Sequence, residues 1–570
     1  MEINILMGGA AGQGLDTIVQ LLGKALAREG YRLFTCKDYM SRVRGGHNFS
    51  LLRVAEKAPR APLEKVDLLL ALNEESYFLH RHKLAPGSRV IYDDRRFALP
   101  DEEADRGIPV PLQELAGKAG GAVLANTVAL GVLLVTLGLE TSTMNKLLEE
   151  SFAHSRELAR NNKAALKAGY EAAAAFCAPC FAMPPAAEGM RGKLLYMNGN
   201  QVLGMSALAS GCRFLSAYPM TPATGIMNYL AGKQSTCEIV VEQAEDEIAA
   251  VNMALGASYG GLRSMVSTSG GGFALMAEGL SLAGMTETPL VIVVAMRPGP
   301  ATGLPTRTEQ GDLNFVVHAG HGDFPRAVLS ASGMEDAFYR LNKAFELADQ
   351  YQVPVLFLSD QHFADTGRSL PPFDFSGLNY HRHLLEKKEE LESPYRRYRL
   401  TEDGVSPRIL PGMFPGEVLL ADSDEHDENG HIIEDAATRK SMVEKRKKKL
   451  QALEAEMEEP LFYGSMKPGI LLLGWGSTYG ALREAVDSLL EQGLEAALLH
   501  FTDLWPLPIK DVAKLLPVVE KSFCVEGNSS GQFAALLKSR TGLGVDHHIL
   551  KYDGRPFYAG EIVEEVLAYV

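Results

Sequence analysis

Four short segments combine side chains able to bind a small acid or move a proton with residues that constrain the backbone. They are Tyr218–Thr224, Glu242–Glu247, Thr268–Gly272 and Arg297–Thr306. Arginine recognises a carboxylate through two parallel hydrogen bonds, and an acidic side chain can serve as a fixed proton partner. A glycine-rich turn lets a ligand approach the backbone closely. These residue types suit the binding of a carboxylate-bearing ligand together with proton transfer.

Each segment also has a structural interpretation. Two prolines make Tyr218–Thr224 a stiff turn before a helix. The acids of Glu242–Glu247 satisfy a helix dipole in its first turn. Thr268–Gly272 is compatible with a flexible turn, and Arg297–Thr306 with a surface loop stiffened by proline. Residue types alone leave both interpretations open.

A glycine-rich loop near the N-terminus suggests a site for an anionic group. Gly8–Gly14 follows an apolar run at Ile3–Met7 and opens a helix pattern that continues to Glu29. Backbone N–H groups in such a turn can hold a phosphate. The spacing from Gly9 is GxxGxG, not the dinucleotide pattern GxGxxG, and a tight turn explains it equally well. Arg42–Asn48 adds two cations, which with Gly8–Gly14 could hold a phosphate-rich ligand or instead form an interface loop.

Apolar runs alternate with helical patterns along the chain, which predicts an α/β, multi-domain fold. Ala119–Leu139 is uncharged, but we interpret it as a buried helix and not as a membrane span. The predicted strands are Ile3–Met7, Arg32–Thr35, Val66–Leu72, Val90–Tyr92, Glu238–Val241, Met265–Ser267, Leu290–Ala295, Val353–Leu358, Ile470–Leu473, Ala496–Phe501 and Phe523–Glu526. Open α/β sheets bind ligands at the carboxyl ends of their strands, and Arg297–Thr306 follows the predicted strand Leu290–Ala295.

Composition excludes several classes of protein. In 570 residues, 56 Lys and Arg against 71 Asp and Glu give 56 − 71 = −15, a poor match for nucleic acid or an anionic membrane. The N-terminus has no signal-like pattern. Six cysteines with one CxxC pair, Cys177 and Cys180, offer no four-ligand set, so we expect ordinary thiols, no metal site and a cytoplasmic protein. The basic run Arg439–Lys449 is interpreted as a solvated charged helix because acids follow it.

The four segments in this order resemble the α subunit of 2-oxoacid:ferredoxin oxidoreductases, with Arg297–Thr306 extended to Asp312. The N-terminal region resembles the γ domain of the same family, fused in front as in 2-oxoglutarate-type members. Asp424–Gly430, Trp505–Pro508 and Glu526–Gln532 fit the family too. The resemblance covers nearly the whole chain.

The resemblance implies four regions. They are a γ-type α/β domain (1–185), a thiamine diphosphate pyrimidine-binding-like domain (186–370), a connector (371–465) and a transketolase-C-like α/β domain (466–570).

It also implies roles for individual residues. Glu245 is placed against a ring nitrogen of thiamine diphosphate, where a carboxylate promotes proton transfer. Thr221 is placed on the carboxylate or ketone of the substrate, and Tyr218, Arg297 and Thr306 around it. The residues implied in cofactor binding are Thr268, Ser269 and Gly270 for thiamine diphosphate, and Gly9, Gly12, Gly14 and Arg44 for coenzyme A.

The sequence departs from the family pattern at three positions. Met220 and Ala223 replace a common isoleucine and serine, and Gly271 replaces a proline, which puts the stiffness of Thr268–Gly272 in doubt. No GDG motif is present, so the resemblance places Mg²⁺, the diphosphate motif and a [4Fe–4S] cluster in a separate β subunit.

The implied reaction is the reversible, CoA-dependent oxidative decarboxylation of a 2-oxo acid, with electrons passed singly to ferredoxin or a similar acceptor (EC 1.2.7 class). The enzyme is expected to work only with the β subunit. Residues do not decide between 2-oxoglutarate, pyruvate and other 2-oxo acids. Two alternatives stay open: a thiamine-dependent transferase without electron transfer, and a non-catalytic subunit that binds CoA or a nucleotide.

Overall fold

A computed structural model describes residues 1–41, 45–176 and 179–570 of the chain. It forms two compact units. The first unit comprises Met1–Asn198 and Asp365–Pro372, and the second comprises Gly199–Ala364 and Phe373–Val570. The division into four regions at 185, 370 and 465 stays a prediction.

Strands and helices alternate through most of the chain. The strands are β1 Glu2–Ala10, β2 Arg32–Asp38, β3 His47–Ala55, β4 Val66–Ala71, β5 Leu84–Tyr92, β6 Gly107–Pro109, β7 Leu195–Asn198, β8 Cys212–Ala217, β9 Val240–Gln243, β10 Arg263–Thr268, β11 Leu290–Met296, β12 Ala327–Leu329, β13 Pro354–Asp360, β14 Gly367–Leu370, β15 Leu461–Gly464, β16 Ile470–Trp475, β17 Ala496–Phe501, β18 Asp503–Trp505, β19 Lys521–Glu526 and β20 His547–Leu550. The α-helices are α1 Leu15–Arg28, α2 Glu74–His80, α3 Leu112–Ala119, α4 Ala125–Thr136, α5 Ser142–Ser151, α6 Arg156–Ala173, α7 Gly199–Ala209, α8 Thr224–Ala231, α9 Glu247–Tyr259, α10 Gly270–Leu275, α11 Ala277–Met285, α12 Leu313–His318, α13 Met334–Tyr351, α14 Gln361–Asp365, α15 Ala436–Glu456, α16 Tyr479–Glu491, α17 Lys510–Leu515, α18 Gln532–Thr541 and α19 Ala559–Leu567.

The first unit contains an eight-stranded mixed sheet in the order β6-β5-β4-β1-β3-β2-β14-β7. Strands β1, β4 and β5 pair in parallel, as predicted for the runs at Val66–Leu72 and Val90–Tyr92. The predicted strand at Arg32–Thr35, which is β2, pairs antiparallel with both β3 and β14. Strand β3 was not predicted, and it runs antiparallel to both β1 and β2. Its charged and polar residues interrupt the apolar alternation that would have marked it as a strand.

Helix α4 explains the uncharged stretch in the first unit. Eleven of its twelve residues are buried, which is the condition for a helix that is apolar on all sides. A Cβ at Gly131 would lie 2.1 Å from the Leu166 carbonyl oxygen, and one at Gly169 would lie 2.0 Å from the Val128 carbonyl oxygen. The backbones of α4 and α6 therefore touch through two glycines, and the predicted buried helix is confirmed. No helix in the described ranges is long and apolar enough to cross a membrane.

The second unit contains two sheets. A seven-stranded sheet has the order β18-β12-β13-β11-β10-β8-β9, and a five-stranded sheet has the order β15-β17-β16-β19-β20. Strand β18, from the C-terminal region, pairs antiparallel with β12. The predicted strands of this half are confirmed, with ends that shift by a few residues.

Helix α15 corrects the interpretation of the basic run. Lys445 and Lys449 are buried, and both ammonium groups contact the buried carboxylate of Glu287, the first at 2.5 Å. Burial alone would raise the pKa of Glu287, but the two lysines and Arg397 outweigh it and hold that pKa below its usual range. The expectation of a solvated helix is therefore wrong on this face, because lysines at i and i+4 meet one buried acid that is distant in the sequence.

The cysteines largely behave as expected. Cys36, Cys212, Cys237 and Cys524 are free thiols. Cys180 is disulfide-bonded, so the expectation of ordinary thiols is wrong there. Cys177 lies outside the described residues.

Candidate functional site

Sheet topology brings four of the predicted segments to one edge of the second unit. Strands β11, β10, β8 and β9 are consecutive neighbours and run parallel. Their carboxyl ends therefore meet at one edge of the sheet. Tyr218–Thr224 follows β8, Glu245 follows β9, Ser269–Gly272 continues from the end of β10, and Arg297 follows β11. This is the edge at which open α/β sheets bind ligands.

Two of the predicted substrate residues are directly connected. Arg297 Nη1 donates a hydrogen bond to the Thr221 carbonyl oxygen at 2.7 Å. The Tyr218 side chain is exposed, whereas Thr306 is buried in the loop after β11. The structure thus brings Thr221 and Arg297 together and leaves Tyr218 open to a ligand.

The acidic segment presents two different carboxylates. Glu245 is exposed just before α9, and Asp246 caps that helix by accepting a hydrogen bond from the Ala249 N–H at 2.7 Å. Glu247 is buried, and its Oε1 has no hydrogen-bond partner among the described residues. Sequence reasoning treated Glu247 only as an acid near a helix start, and nothing in the spacing marked it as buried.

The turn after β10 passes through Ser269 directly into helix α10, which begins at Gly270, and it fits closely around Glu247. A Cβ at Gly272 would lie 2.1 Å from Thr268 Oγ1 and 2.5 Å from Glu247 Oε1. Thr268 and Ser269 are fully buried, and the hydroxyls of Ser267 and Ser269 have no hydrogen-bond partner within the part of the chain that the structure describes. Buried polar atoms are normally satisfied. This turn therefore has unmet hydrogen-bonding capacity that a polar ligand could use.

Asp312 is a further site residue to which sequence reasoning gave no role. A Cβ at Gly270 would lie 2.1 Å from Asp312 Oδ2, so this carboxyl lies against the same turn. Burial raises the pKa of Asp312 to about 6 despite the opposing effect of Arg297. Burial also lowers the pKa of Arg297, which Asp312 only partly offsets. Desolvation therefore outweighs the attraction between the two groups.

The C-terminal motif Glu526–Gln532 holds the end of the arginine loop. The side-chain oxygen of Gln310 accepts from the Gly527 N–H at 2.9 Å, and its Nε2 donates to the Trp475 carbonyl at 2.8 Å. Asn528 Nδ2 donates to the Gln310 carbonyl at 3.2 Å. The motif thus fixes the backbone two residues before Asp312.

In the first unit, the N-terminal glycine loop is closed on itself. The Gln13 side-chain oxygen accepts from the Ala10 N–H at 2.6 Å, and the Ala11 N–H donates to the Gly46 carbonyl at 3.1 Å. Gly14 has φ 75°, and a Cβ there would lie 2.0 Å from Asn126 Nδ2. Gly12 has φ 90° with open space around it. Arg42 and Arg44 lie outside the described residues.

Comparison with known proteins defines the class of this fold and site. A family model described as "Pyruvate flavodoxin/ferredoxin oxidoreductase, thiamine diP-bdg" matches residues 205–445, and one described as "Pyruvate ferredoxin/flavodoxin oxidoreductase" matches residues 4–172. The second unit's site therefore falls in the thiamine diphosphate-binding part of this class of oxidoreductases.

Full-length relatives narrow the class to one family. The chain is 32% identical to a 2-oxoacid:ferredoxin oxidoreductase subunit alpha from Sulfolobus sp, over 100% of this chain and 97% of the relative. It is 33% identical to the 2-oxoglutarate oxidoreductase subunit KorA of Mycobacterium tuberculosis, over 98% and 90%. The chain belongs to the 2-oxoacid:ferredoxin oxidoreductase alpha-subunit family.

A solved structure agrees over the whole chain. It is a 2-oxoglutarate:ferredoxin oxidoreductase from Magnetococcus marinus with 2-oxoglutarate, coenzyme A and succinyl-CoA bound. The TM-score is 0.91 at 31% identity, over 100% of this chain and 99% of that one.

Proposed function

We propose that this chain is the catalytic alpha subunit, with a fused γ-type region, of an enzyme that converts a 2-oxo acid and CoA to acyl-CoA and CO₂. Ferredoxin or a similar one-electron carrier takes the electrons, and the reaction is reversible. The observation that carries the proposal is the meeting of Thr221, Glu245, the Thr268–Gly272 turn and Arg297 at one sheet edge. The named activities of the full-length relatives support it.

The site suits thiamine diphosphate on the side that this chain would supply. Tyr218 and Glu245 are exposed at this sheet edge, and behind them the buried hydroxyls of Ser267 and Ser269 lack partners among the described residues. When bound, thiamine diphosphate supplies the carbanion chemistry that removes CO₂ from a 2-oxo acid. Glu245 would hold a proton against the cofactor ring, and its exposure leaves it accessible to both cofactor and partner.

Substrate recognition is assigned to Arg297 and its neighbours. The bond to the Thr221 carbonyl fixes one edge of the guanidinium, and an arginine carries five N–H donors in a planar fork. The other donors would recognise the substrate carboxylate, with Thr221 and Tyr218 beside the ketone. Thr306 is buried, so its role would be to shape the loop or to meet a carboxylate that enters deeply.

Coenzyme A is assigned to the γ-type region, through Gly9, Gly12, Gly14 and Arg44. The internal bonds of this loop leave fewer backbone donors for a phosphate, so the cation at Arg44 would contribute most. Arg44→Ala should raise the KM for CoA about tenfold while kcat is kept, since a cation that only holds phosphates contributes to binding and not to the chemical step. An unchanged KM for CoA would remove Arg44 from the site.

A β subunit is the proposed partner, and it would carry the Mg²⁺ and diphosphate motif and a [4Fe–4S] cluster. Relatives named as alpha subunits support the existence of other subunits.

The first experiment is an anaerobic pull-down of the full chain from its native extract. The captured complex is then assayed for CoA-dependent reduction of a viologen dye with a panel of 2-oxo acids. Capture of an iron–sulfur subunit and reduction with one acid would support the proposal and name the substrate. A chain that is captured alone, or a complex inactive with every acid, would favour a CoA- or nucleotide-binding subunit. Turnover of a 2-oxo acid without dye reduction would favour a transferase.

A further inference from the structure

Two histidines and a glutamate in the second unit form a cluster that takes no part in the candidate functional site. His381 and His383 lie two residues apart in the chain, beside Glu346 of α13. One ligand atom from each residue lies within 4.8 Å of the other two. The His383 Nε2 contacts Glu346 Oε1, and the two imidazole centroids are 4.2 Å apart. We propose that Glu346, His381 and His383 bind a divalent transition metal of the zinc class.

The donor set matches this class of ion. Zinc is bound by imidazole nitrogen and carboxylate oxygen at about 2.0–2.2 Å, and three protein ligands leave a fourth position for water. Two ligands on one tetrahedral ion are about 3.3 Å apart, so His383 and Glu346 need to separate slightly to admit it. The His381 side chain is exposed, and that of His383 is 25% exposed, which allows this movement.

The backbone of the histidine segment is held firmly before any ion binds. The buried Arg263 donates to the His381 carbonyl at 2.8 Å. Asn342 of α13 donates to the Asn379 carbonyl at 2.9 Å and accepts from the Asn379 N–H at 2.8 Å. His383 has φ 48°, a left-handed conformation that is uncommon for a residue other than glycine. These contacts position both imidazoles next to α13, as a metal site requires.

Nearby charge predicts which metals bind. Arg263 Nη2 lies 3.4 Å from Glu346 Oε2, and Asp349 is shared by Arg263, Arg382 and Arg408. The three arginines outnumber the two carboxylates, and this excess of positive charge opposes the binding of any cation that is held mainly by electrostatic attraction. The two neutral imidazoles must therefore supply most of the binding, which selects zinc, nickel or copper over magnesium or calcium. A bound ion would tie the segment at Asn379–His383 to α13.

The test measures Zn²⁺ binding to the full-length, metal-free chain by titration calorimetry. Two variants remove one ligand each, His381→Ala and His383→Asn, because asparagine tolerates a positive φ. The matched control is His154→Ala, which removes an exposed histidine from the first unit. Thermal unfolding without metal confirms that each variant is folded.

The expected result is one Zn²⁺ in the wild type and in the control, and binding at least about tenfold weaker in each ligand variant. Mg²⁺ should not compete, and Co²⁺ should give a visible spectrum that is lost in the double variant, which combines His381→Ala with His383→Asn. The proposal would be overturned if the wild type bound no Zn²⁺, or if the double variant bound it with unchanged affinity and stoichiometry.

Discussion

The two units each contain a glycine-rich segment at the end of a strand, and the two segments differ in how their polar groups are hydrogen-bonded. Gly8–Gly14 spans the end of β1 and the turn after it in the first unit, and Ser269–Gly272 follows β10 in the second. In the first turn, Gln13 and Gly46 satisfy backbone donors from within the protein. In the second, the hydroxyls of Ser267 and Ser269 are buried and have no partner among residues 1–41, 45–176 and 179–570.

This difference shows how a binding turn is separated from a structural one. Glycine reports only that the backbone needs space or an unusual conformation. The satisfaction of buried polar atoms reports whether the protein alone can complete the turn. By that criterion, the turn after β10 depends more on a bound group to satisfy its polar atoms than the first turn does. Substitutions in and beside the turn after β10 should therefore have the larger effects.

The largest effect is expected at the carboxylates beside the second turn. Glu245→Gln in the assembled complex should lower turnover by about 10²–10⁴-fold, the usual contribution of a positioned proton partner. Assembly should be preserved, as measured by pull-down, because the Glu245 side chain is exposed. Dye reduction with the best 2-oxo acid measures the loss.

Glu247→Gln is the matched variant, since it changes the buried neighbour. If Glu247→Gln abolished turnover and Glu245→Gln retained full activity, the proton-transfer role would belong to the buried carboxylate. Full activity in both variants would contradict the catalytic proposal.

The second prediction tests how tightly the turn after β10 packs against Glu247. Gly272→Ala should lower the free energy of unfolding by about 1–3 kcal/mol, because its Cβ would overlap Thr268 and Glu247. Gly271→Ala should be nearly neutral, since the nearest atom is 3.7 Å away and its φ is ordinary. Denaturant unfolding of the two variants measures the difference. Equal stability would show that the turn relaxes, and that its unmet polar groups are not held in place.

A smaller effect tests the first turn. Gly12 and Gly14 both have positive φ, so alanine costs about 1–2 kcal/mol at each. Gly14→Ala should cost about 1 kcal/mol more, because its Cβ also meets Asn126 Nδ2. Thermal unfolding of the two variants measures this. A larger loss for Gly12→Ala would indicate that Gly14 is not packed against Asn126.

The sequence predicted what depends on local pattern and order along the chain. The buried helix α4 and the strands that end before Glu242–Glu247, Thr268–Gly272 and Arg297–Thr306 follow from apolar runs. Strand β8, which ends before Tyr218–Thr224, was not predicted. Family resemblance then supplied the roles proposed for Glu245 and Arg297, which spacing alone did not.

What the sequence did not predict depends on contacts between distant residues. The sequence predicts that Lys445 and Lys449 are solvated, because their partner, Glu287, lies more than 150 residues away in the chain. Strand β3 depends on pairing with β1 and β2 and not on its own pattern. Burial of Glu247 depends on how Gly272 packs against it. No pattern within one segment of the sequence predicts the buried lysines, strand β3 or the burial of Glu247.

The last expected effect concerns Asp312, the carboxyl that lies against the second turn at Gly270. Its pKa in the folded protein is raised by burial from 3.8 to about 6. Between these values the unfolded chain releases the proton that the folded protein keeps, so the unfolded state gains stability as the pH rises. The free energy of unfolding of the wild type should therefore fall from pH 4 to pH 6 relative to that of Asp312→Asn, which carries no titrating group there. Urea unfolding of both proteins at several pH values measures the difference, and parallel pH profiles would mean that Asp312 is ionised at this turn with an ordinary pKa. In that case Arg297 would compensate its charge fully, and the second turn would be as well satisfied at this carboxyl as the first turn is at Gln13.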